Sequence, residues 1–527
     1  MRRSRWLAWA STITVSAVVG GLLLVPSTAA QAAPTTGLRF VDIVASDGVV
    51  LKANVNESTS PGKHPAIVMP SSWALNDLEY VAQAEALATA GYTVVSYTPR
   101  GWWGSGGRIA TAGPEDIADL RSVIDWTIAN TTADPARLGA AGVSYGAGIS
   151  LLGSAFDSRI KAVVAMSGWT DLVESLYGAS TRRPQAVALL QVAATLLGRP
   201  SSELNTVLSD YWNNRNIEGI KAFARVRSAA TYINAINANH PAILMANAYG
   251  DSLFPPNQLV DFFGQLTGPK RLELAPGDHA VVEATGLVGL GNAVWTSLRR
   301  WFDQYLQGIN TGIAAEPPVV LKSQSGGATE SAVDWAHVTG STTRMGLREV
   351  NLLTGTGTLG GSATTGWSRT ALALGDSGAT AGVALLTNAW TGLTGSSPSI
   401  WLPAINRVTA GVWLSASLSS TPIRGIPRLH LTVKPAKADG TVVAYLYDVD
   451  SLGAGKLIAH APATWLGATP NAALGVDIAF PATSYTVASG HRLALIVDTE
   501  DALYLDANPT GAGITFTGQS YLDLPLR

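Results

Sequence analysis

Short apolar runs alternate with helical patterns between about residues 38 and 310. The runs read as buried strands and lie at Pro65–Met69, Thr93–Tyr97, Leu138–Val143, Ala162–Met166, Ala242–Ala246 and Arg271–Leu274. Between two of them, residues 116–130 space isoleucine and leucine for one face of a helix that begins near Pro114. Strands that alternate with helices predict a parallel β-sheet with helices on both faces.

The pattern of strands and helices changes at two further places along the chain. Between about residues 168 and 240 the strand pattern is interrupted by helical segments, among them the uncharged stretch Pro184–Leu197. This helix either lines a substrate pocket as part of a cap or packs on both sides, and the pattern supports both. After Pro317-Pro318 short alternating strands take over, such as Leu429–Val433 and Val442–Tyr447. They predict an all-β sandwich or jelly roll over residues 317–527.

The first residues have the pattern of a targeting segment. Arg2, Arg3 and Arg5 precede an uncharged apolar run, which Pro26 ends before the small residues Ala30-Gln31-Ala32. This arrangement predicts a secretory signal over residues 1–32 and a mature catalytic domain over 33–316. The alternative is a retained anchor helix, because about twenty apolar residues can span a bilayer. We expect a protein that is secreted or held at the cell envelope, with no further membrane segment.

Composition narrows the classes of function. Hydrophobic residues make up 47% of the 527-residue chain and charged residues 14%, which excludes a disordered protein. The formal charge of −2 argues against nucleic-acid binding. The absence of Cys excludes disulfides, thiolate metal sites and cysteine nucleophiles. His, Asp and Glu show no metal-ligand spacing, Gly101–Gly107 lacks the lysine of a phosphate-binding loop, and Asp448 and Asp450 are typical of a solvated turn. We therefore expect no metal or cofactor.

One motif points to nucleophilic catalysis. Gly142-Val-Ser144-Tyr-Gly146 lies between the predicted strand Leu138–Val143 and a predicted helix that starts near Ala147. In such a strand–turn–helix, the two glycines permit a strained turn that exposes the serine hydroxyl. A serine needs a positioned base to attack a carbonyl. The motif therefore predicts Ser144 as a nucleophile, although a glycine-rich strand end with an incidental serine has the same letters.

The acid and the base should follow in chain order, each after a strand. Asp251 follows the strand Ala242–Ala246, and His279 follows the strand Arg271–Leu274 and precedes the closing helical pattern. These positions predict Ser144, Asp251 and His279 as nucleophile, orienting acid and general base. Asp278 is the alternative acid, but its side chain should point away from that of its neighbour. The other six histidines lie at strand entrances or in the β-rich half: His64, His240, His337, His430, His460 and His491.

The oxyanion of the tetrahedral intermediate needs hydrogen-bond donors. The backbone N–H of Tyr145, the residue after the nucleophile, is one expected donor. The second should come from the loop after Pro65–Met69, where an N–H of Trp73 is the first choice and Ser72 the fallback. Simple pocket lining is an equal alternative for Trp73. Three further tryptophans predict an aromatic pocket wall: Trp102, Trp103 and Trp169.

Taken together, the ordered motifs resemble those of Xaa-Pro dipeptidyl-peptidases and cocaine-esterase-like serine hydrolases. The matching blocks are Arg100-Gly101 with Ser105 and Gly107, Gly142–Gly146, Tyr249–Pro256 and Gly277–His279, and in the β-rich half Val408–Ser415, Tyr445–Asp448 and Ser489–Ala494. The resemblance covers nearly the whole chain after the signal. It implies an α/β-hydrolase domain, a helical cap inserted after the sixth strand, and a C-terminal jelly roll beside the active site.

The resemblance also shows departures. The family often places a tyrosine hydroxyl in the oxyanion hole, whereas here no tyrosine follows the third strand until Tyr80, and Thr98-Pro99 replaces the usual Asp before Arg100. Two classes of small-molecule substrate stay open: acyl esters, which the tryptophans favour, and peptides with proline in second place. Such peptides need an acid for the free amine, and Asp171 and Glu174 are available. A different reading is an inactive hydrolase scaffold with a β module that binds cell wall or carbohydrate. Oligomeric state leaves no signal in the sequence.

Overall fold

The computed structural model describes residues 37–386 and 399–527. The predicted signal segment, residues 1–32, lies outside these ranges. No helix within them combines the length and the apolar character needed to cross a bilayer.

The first domain is built on a ten-stranded sheet with the order β1-β2-β4-β3-β5-β6-β7-β8-β9-β10. Its strands are β1 Arg39–Val44, β2 Val50–Glu57, β3 His64–Pro70, β4 Thr93–Tyr97, β5 Ala133–Val143, β6 Ile160–Met166, β7 Ala242–Ala248, β8 Lys270–Ala275, β9 Val319–Lys322 and β10 Thr329–Ala332. Strands β3 to β9 run parallel to one another, and β1, β2 and β10 join antiparallel. The predicted parallel sheet is confirmed.

Strands β9 and β10 differ from the expectation that the β-rich half begins at residue 317. Residues 319–321 of β9 pair in parallel with β8, and Val319 and Leu321 are buried there. The reason is that β9 covers the open edge of β8, which a sheet of eight strands would leave exposed. The first sheet therefore continues to Ala332, and the β domain begins with the next strand, at Ser341.

Helices cover both faces of the sheet. They are α1 Val81–Thr89, α2 Pro114–Asn130, α3 Tyr145–Phe156, α4 Leu172–Tyr177, α5 Pro184–Leu197, α6 Ser202–Trp212, α7 Ile217–Val226, α8 Ile233–Asn239, α9 Asn257–Gln265, α10 Ala284–Leu287 and α11 Ala293–Phe302. Alternate strand residues face opposite sides, so Val68 packs in the core with α2, α3, α8 and α9, and Ile67 packs in the core with α1 and α11. Helices α4 to α8 follow β6 and form the cap.

The second domain is an all-β sandwich. Its strands are β11 Ser341–Val350, β12 Thr356–Leu359, β13 Ser368–Leu372, β14 Ser399–Trp401, β15 Ala410–Ser415, β16 Thr421–Gly425, β17 Arg428–Pro435, β18 Gly440–Val449, β19 Ala454–Trp465, β20 Leu474–Ala479, β21 Thr483–Val487, β22 Arg492–Asp498 and β23 Gly513–Leu526. Strand β11 pairs with β12 on one side and β23 on the other. Trp413 of β15 and Phe516 of β23 pack edge to face, 5.6 Å apart, in the core between the layers. The prediction of an α/β domain followed by an all-β domain is confirmed.

Hydrogen bonds join the β domain to the cap and to the loop after β7. The Asn257 side chain, at the start of α9, donates to Phe480 O and accepts from Ala482 N (2.9 and 2.7 Å). Gln185 of α5 donates to Ala502 O (3.0 Å). The backbone N–H of Leu385 donates to Ser252 Oγ (3.1 Å). The β domain therefore helps to position the loop that carries Asp251.

Candidate active site

Ser144 lies on a sharp turn between β5 and α3. Its backbone is in a left-handed region (φ 55°, ψ −113°), where a non-glycine residue is strained. The two glycines of the motif make the turn possible: a Cβ at Gly142 would overlap the backbone of Gly146, and one at Gly146 would overlap the carbonyl oxygen of Pro70. The turn holds Ser144 at the N-terminus of α3, at the carboxyl end of the parallel sheet.

Three side chains from separate loops meet above this edge. Ser144 Oγ lies 2.8 Å from His279 Nε2, and His279 Nδ1 lies 3.0 Å from Asp251 Oδ2. The second carboxylate oxygen of Asp251 accepts the backbone N–H groups of Leu253 and Phe254 (3.0 and 2.7 Å), which fixes its orientation. The side chains of His279 and Asp251 are 8% and 0% exposed. The structure thus brings Ser144, His279 and Asp251 into one hydrogen-bonded chain.

The environment of His279 favours its charged form. Burial opposes protonation, but the charge and hydrogen bond of Asp251, together with Glu283 and Asp278, raise the pKa of His279 above its ordinary value. Asp278 is not the orienting acid, because its Oδ1 accepts the backbone N–H groups of Ser252 and His279 (2.8 and 2.7 Å). Asp278 thereby links the loop that carries Asp251 to the loop that carries His279.

Three buried carboxyl groups near the site were missed by the sequence reasoning. Burial raises the pKa of Glu79, Asp116 and Glu283 to about 7. Glu79 accepts both the backbone N–H and the hydroxyl of Ser72 (2.7 and 2.6 Å), and Asp116 accepts the hydroxyl of Tyr145 (2.5 Å). A single acid on an otherwise ordinary segment carries no periodic signal. The four-residue spacing of Glu283 from His279 is the one hint that the sequence offers.

The structure uses one of the two N–H groups of Trp73, the residue predicted to supply the second oxyanion donor, and leaves the other free among the described residues. The indole N–H of Trp73 donates to Leu190 O of α5 (3.0 Å), so that group is already used. The fallback, the backbone N–H of Ser72, is held by Glu79. Within residues 37–386 and 399–527, the backbone N–H groups of Trp73 and Tyr145 make no hydrogen bond. Trp73 and Tyr145 line the same cavity as Ser144, so their free backbone N–H groups are the candidate oxyanion donors.

An apolar cavity of about 120 Å³ opens from Ser144 into the cap. Residues of the catalytic domain at its mouth and of α4 to α7 at its walls include Trp73, Tyr145, Trp169, Phe254, Leu172, Val173, Leu176, Tyr177, Val187, Leu190, Leu204, Leu208, Phe223 and Ala224. Helix α5 therefore lines the cavity with one face, while Leu196 on its other face is 74% exposed. The cap interpretation of this helix is the one the structure supports.

Two of the four predicted pocket tryptophans do not line this cavity. Trp102 is fully buried behind Trp73, with ring centroids 4.7 Å apart, because the loop after β4 turns under the cap. Trp103 is 44% exposed and its indole donates to Ala74 O (2.9 Å). Trp169 does line the cavity, and it packs against α3 where a Cβ on Gly148 would come within 2.5 Å of the ring.

The acids considered for binding a substrate amine are placed elsewhere. Asp171 caps α4 by accepting the backbone N–H groups of Val173 and Glu174 (2.8 and 3.1 Å). Glu174 lines a different cavity. Lys221 reaches the wall of the Ser144 cavity, where it pairs with Glu218 (2.9 Å). The described lining of the cavity thus offers no carboxylate to an ammonium group.

The described residues hold no group of three or more His, Asp or Glu that could bind a metal ion. Asp448 accepts from Tyr485 Oη and His491 Nδ1 (2.9 and 2.8 Å), and Asp450 accepts two backbone N–H groups of its own turn. Asp448 therefore links strands of the sandwich, and Asp450 stabilises its own turn.

Comparison with known families matches both domains. The family model described as X-Pro dipeptidyl-peptidase (S15 family) matches residues 47–281. A second model, the X-Pro dipeptidyl-peptidase C-terminal non-catalytic domain, matches residues 311–521.

Solved structures share the fold over nearly the whole chain. A CocE/NonD family hydrolase from Staphylococcus aureus has a TM-score of 0.69 at 14% identity and covers 93% of each chain. An α-amino acid ester hydrolase has a TM-score of 0.69 at 16% identity, over 98% of this chain and 100% of the other. Among curated relatives, an uncharacterised Escherichia coli protein is 27% identical over 136 residues, which are 25% of this chain. The chain spans about half (47%) of that relative's length.

Proposed function

The chain belongs to the X-Pro dipeptidyl-peptidase (S15) family of serine hydrolases, and from this premise we propose that it is an exported esterase for bulky, apolar acyl groups. Its nucleophile is Ser144, its general base His279 and its orienting acid Asp251. The observation that carries the proposal is that the hydrogen-bonded chain of these residues ends at the mouth of an apolar cavity.

The reaction follows from the contacts of Ser144. His279 Nε2 takes the hydroxyl proton as Ser144 Oγ attacks the ester carbonyl, and Asp251 stabilises the imidazolium at Nδ1. The backbone N–H groups of Tyr145 and Trp73 stabilise the oxyanion of the tetrahedral intermediate. His279 then returns the proton to the leaving alcohol and later activates the water that releases the acid from Ser144.

The lining of the cavity favours esters over X-Pro peptides. Binding a free amino terminus requires a carboxylate near the scissile bond, because an unpaired ammonium is costly to bury. Asp171 is used as a helix cap, and Glu174 lines another cavity. An apolar acyl chain, by contrast, gains from every apolar side chain of α4 to α7 that it contacts. The alternative of an inactive scaffold is disfavoured because Ser144, His279 and Asp251 are all present and hydrogen-bonded in sequence.

Export is the part of the proposal that depends on the N-terminal sequence. The basic start, the apolar run and Ala30-Gln31-Ala32 support a cleaved signal over residues 1–32. N-terminal sequencing of protein recovered from the culture medium tests this directly. A first residue near position 33 is expected, and a cell-bound protein that retains residue 2 contradicts it.

The experiment that tests the activity compares two substrates side by side. A p-nitrophenyl ester should be hydrolysed, and a Gly-Pro anilide should be turned over at least about a hundredfold less efficiently, since burying an unpaired charge costs several kcal/mol. Ser144→Ala should abolish ester turnover, and Ser150→Ala, a buried serine on the same helix α3, should retain it. Faster cleavage of the anilide would contradict the proposed substrate class.

A further inference from the structure

A second cavity of about 290 Å³ lies on the other side of the Asp251 loop. It is bounded by α4 and α5 of the cap, by residues 249–258 and by strand β19 of the β domain. No residue of its lining also lines the Ser144 cavity. Helices α4 and α5 contribute residues to both cavities, and Asp251, whose Oδ2 contacts His279, lies in the lining of the second one.

Charged side chains of both signs face this cavity and make no hydrogen bond or ion pair with the described residues. Arg183 lines it, and among the described residues its side chain makes no ion pair or hydrogen bond, with Nε fully buried. The guanidinium lies 5.5 Å from the ring centroid of Tyr504. Glu174 of α4 and Asp261 of α9 also line the cavity, and neither carboxylate has a hydrogen-bond partner in the described part of the chain. Arg183 is close enough to Glu174 to stabilise its charged form, but no hydrogen bond joins the two side chains, and Glu174 and Asp261 are exposed to solvent.

A buried amide and an apolar wall complete the surroundings of the cavity. Gln258 is 5% exposed, and its Oε1 accepts the backbone N–H of Thr170 (2.5 Å), which fixes which end of the amide is the nitrogen. The Nε2 of Gln258 has no partner in the described residues, but it has almost no accessible surface, so it is not offered to a ligand in the cavity. Opposite, Leu457, Ile458 and Leu503 provide an apolar wall. The cavity therefore combines the Arg183 guanidinium, the carboxylates of Glu174 and Asp261, and an apolar surface.

We propose that this cavity binds a free α-amino acid with an apolar side chain, with its carboxylate on Arg183 and its ammonium on Glu174 and Asp261. The carboxylate of a zwitterion pairs with the guanidinium, and its ammonium pairs with the two carboxylates, so one ligand satisfies both charges. A simple anion would face the two carboxylates, and a simple amine would face the guanidinium, so either alone should bind more weakly. The apolar wall accommodates the side chain.

Calorimetric titration of the full chain carrying Ser144→Ala tests the proposal, because this background removes hydrolysis and leaves the second cavity intact. The probes are L-leucine, 4-methylpentanoate, which lacks the amine, and isopentylamine, which lacks the carboxylate. We expect leucine to bind at least about tenfold more tightly than either half-molecule, since each charge-assisted contact is strong.

Variants locate the site. Arg183→Gln and Glu174→Gln should each weaken leucine binding by at least about tenfold. Arg492→Gln and Glu85→Gln, which change exposed residues away from the cavity, should leave it unchanged. Unchanged melting temperatures show that the variants are folded. No binding of leucine at millimolar concentration, equal binding of a half-molecule, or binding that survives both cavity variants overturns the proposal, whatever the esterase assays show.

Discussion

The apolar cavity predicts how turnover depends on acyl-chain length. Each methylene that moves from water into the walls of α4 to α7 contributes about 0.8 kcal/mol, which is about a fourfold gain in kcat/KM. From the acetyl to the hexanoyl ester of p-nitrophenol, four methylenes are added, so the gain should approach about 200-fold if all are buried. The gain should end once the chain fills the cavity of about 120 Å³.

A pair of variants on one helix tests whether α5 provides this discrimination. Leu190 lines the cavity, whereas Leu196 of the same helix is 74% exposed. Leu190→Ser should lower the hexanoyl-to-acetyl ratio of kcat/KM roughly tenfold, as expected when a chain loses a contacting leucine. Leu196→Ser should leave the ratio unchanged. A ratio that stays flat with chain length in the unmodified protein, or equal effects of both variants, would refute the acyl-cavity argument.

Three further predictions concern the chemistry and the turn. Asp251→Asn should lower kcat about 10⁴-fold, because an amide selects the wrong tautomer of His279, and a loss below tenfold would show that this carboxylate does not orient the ring. Since His279 must be neutral to act as base and its pKa is raised, the acid limb of the kcat/KM profile should have its midpoint above pH 6.5, and a midpoint below that value would conflict with the surroundings of the ring. Gly146→Ala should lower the melting temperature and abolish activity, because the added Cβ would overlap the carbonyl oxygen of Pro70. The control Gly264→Ala, whose Cβ would lie in open space on α9, should be neutral or stabilising. Tolerance of Gly146→Ala would argue against the tight turn.

Strand order made the meeting point of Ser144, Asp251 and His279 predictable from sequence. The carboxyl ends of parallel strands lie at one edge of the sheet, so residues that follow β5, β7 and β8 must be close in space. The boundary between the α/β domain and the β sandwich was predictable because the strand–helix alternation gives way to short strands without helices. The alternation of strand and helix patterns carries this information locally, without knowledge of tertiary contacts.

Features that depend on side-chain direction were not predictable in this way. The indole of Trp73 donates to Leu190 O instead of facing Ser144, and Trp102 is buried behind it. Asp171 caps a helix. Each outcome is decided by packing between distant segments, and neither composition nor spacing contains that geometry. The extra strands β9 and β10 were missed because four-residue strands give too short a pattern.

The central claim is that the hydroxyl of Ser144 is the nucleophile activated by His279. Reaction with a fluorophosphonate, followed by peptide mass spectrometry, tests it most directly, because only an activated serine is phosphonylated rapidly. The account predicts one adduct, on the peptide that contains Ser144, with loss of ester turnover in proportion to labelling and no labelling in His279→Ala. Full labelling on another serine, or ester turnover that persists after Ser144 is modified, would contradict it.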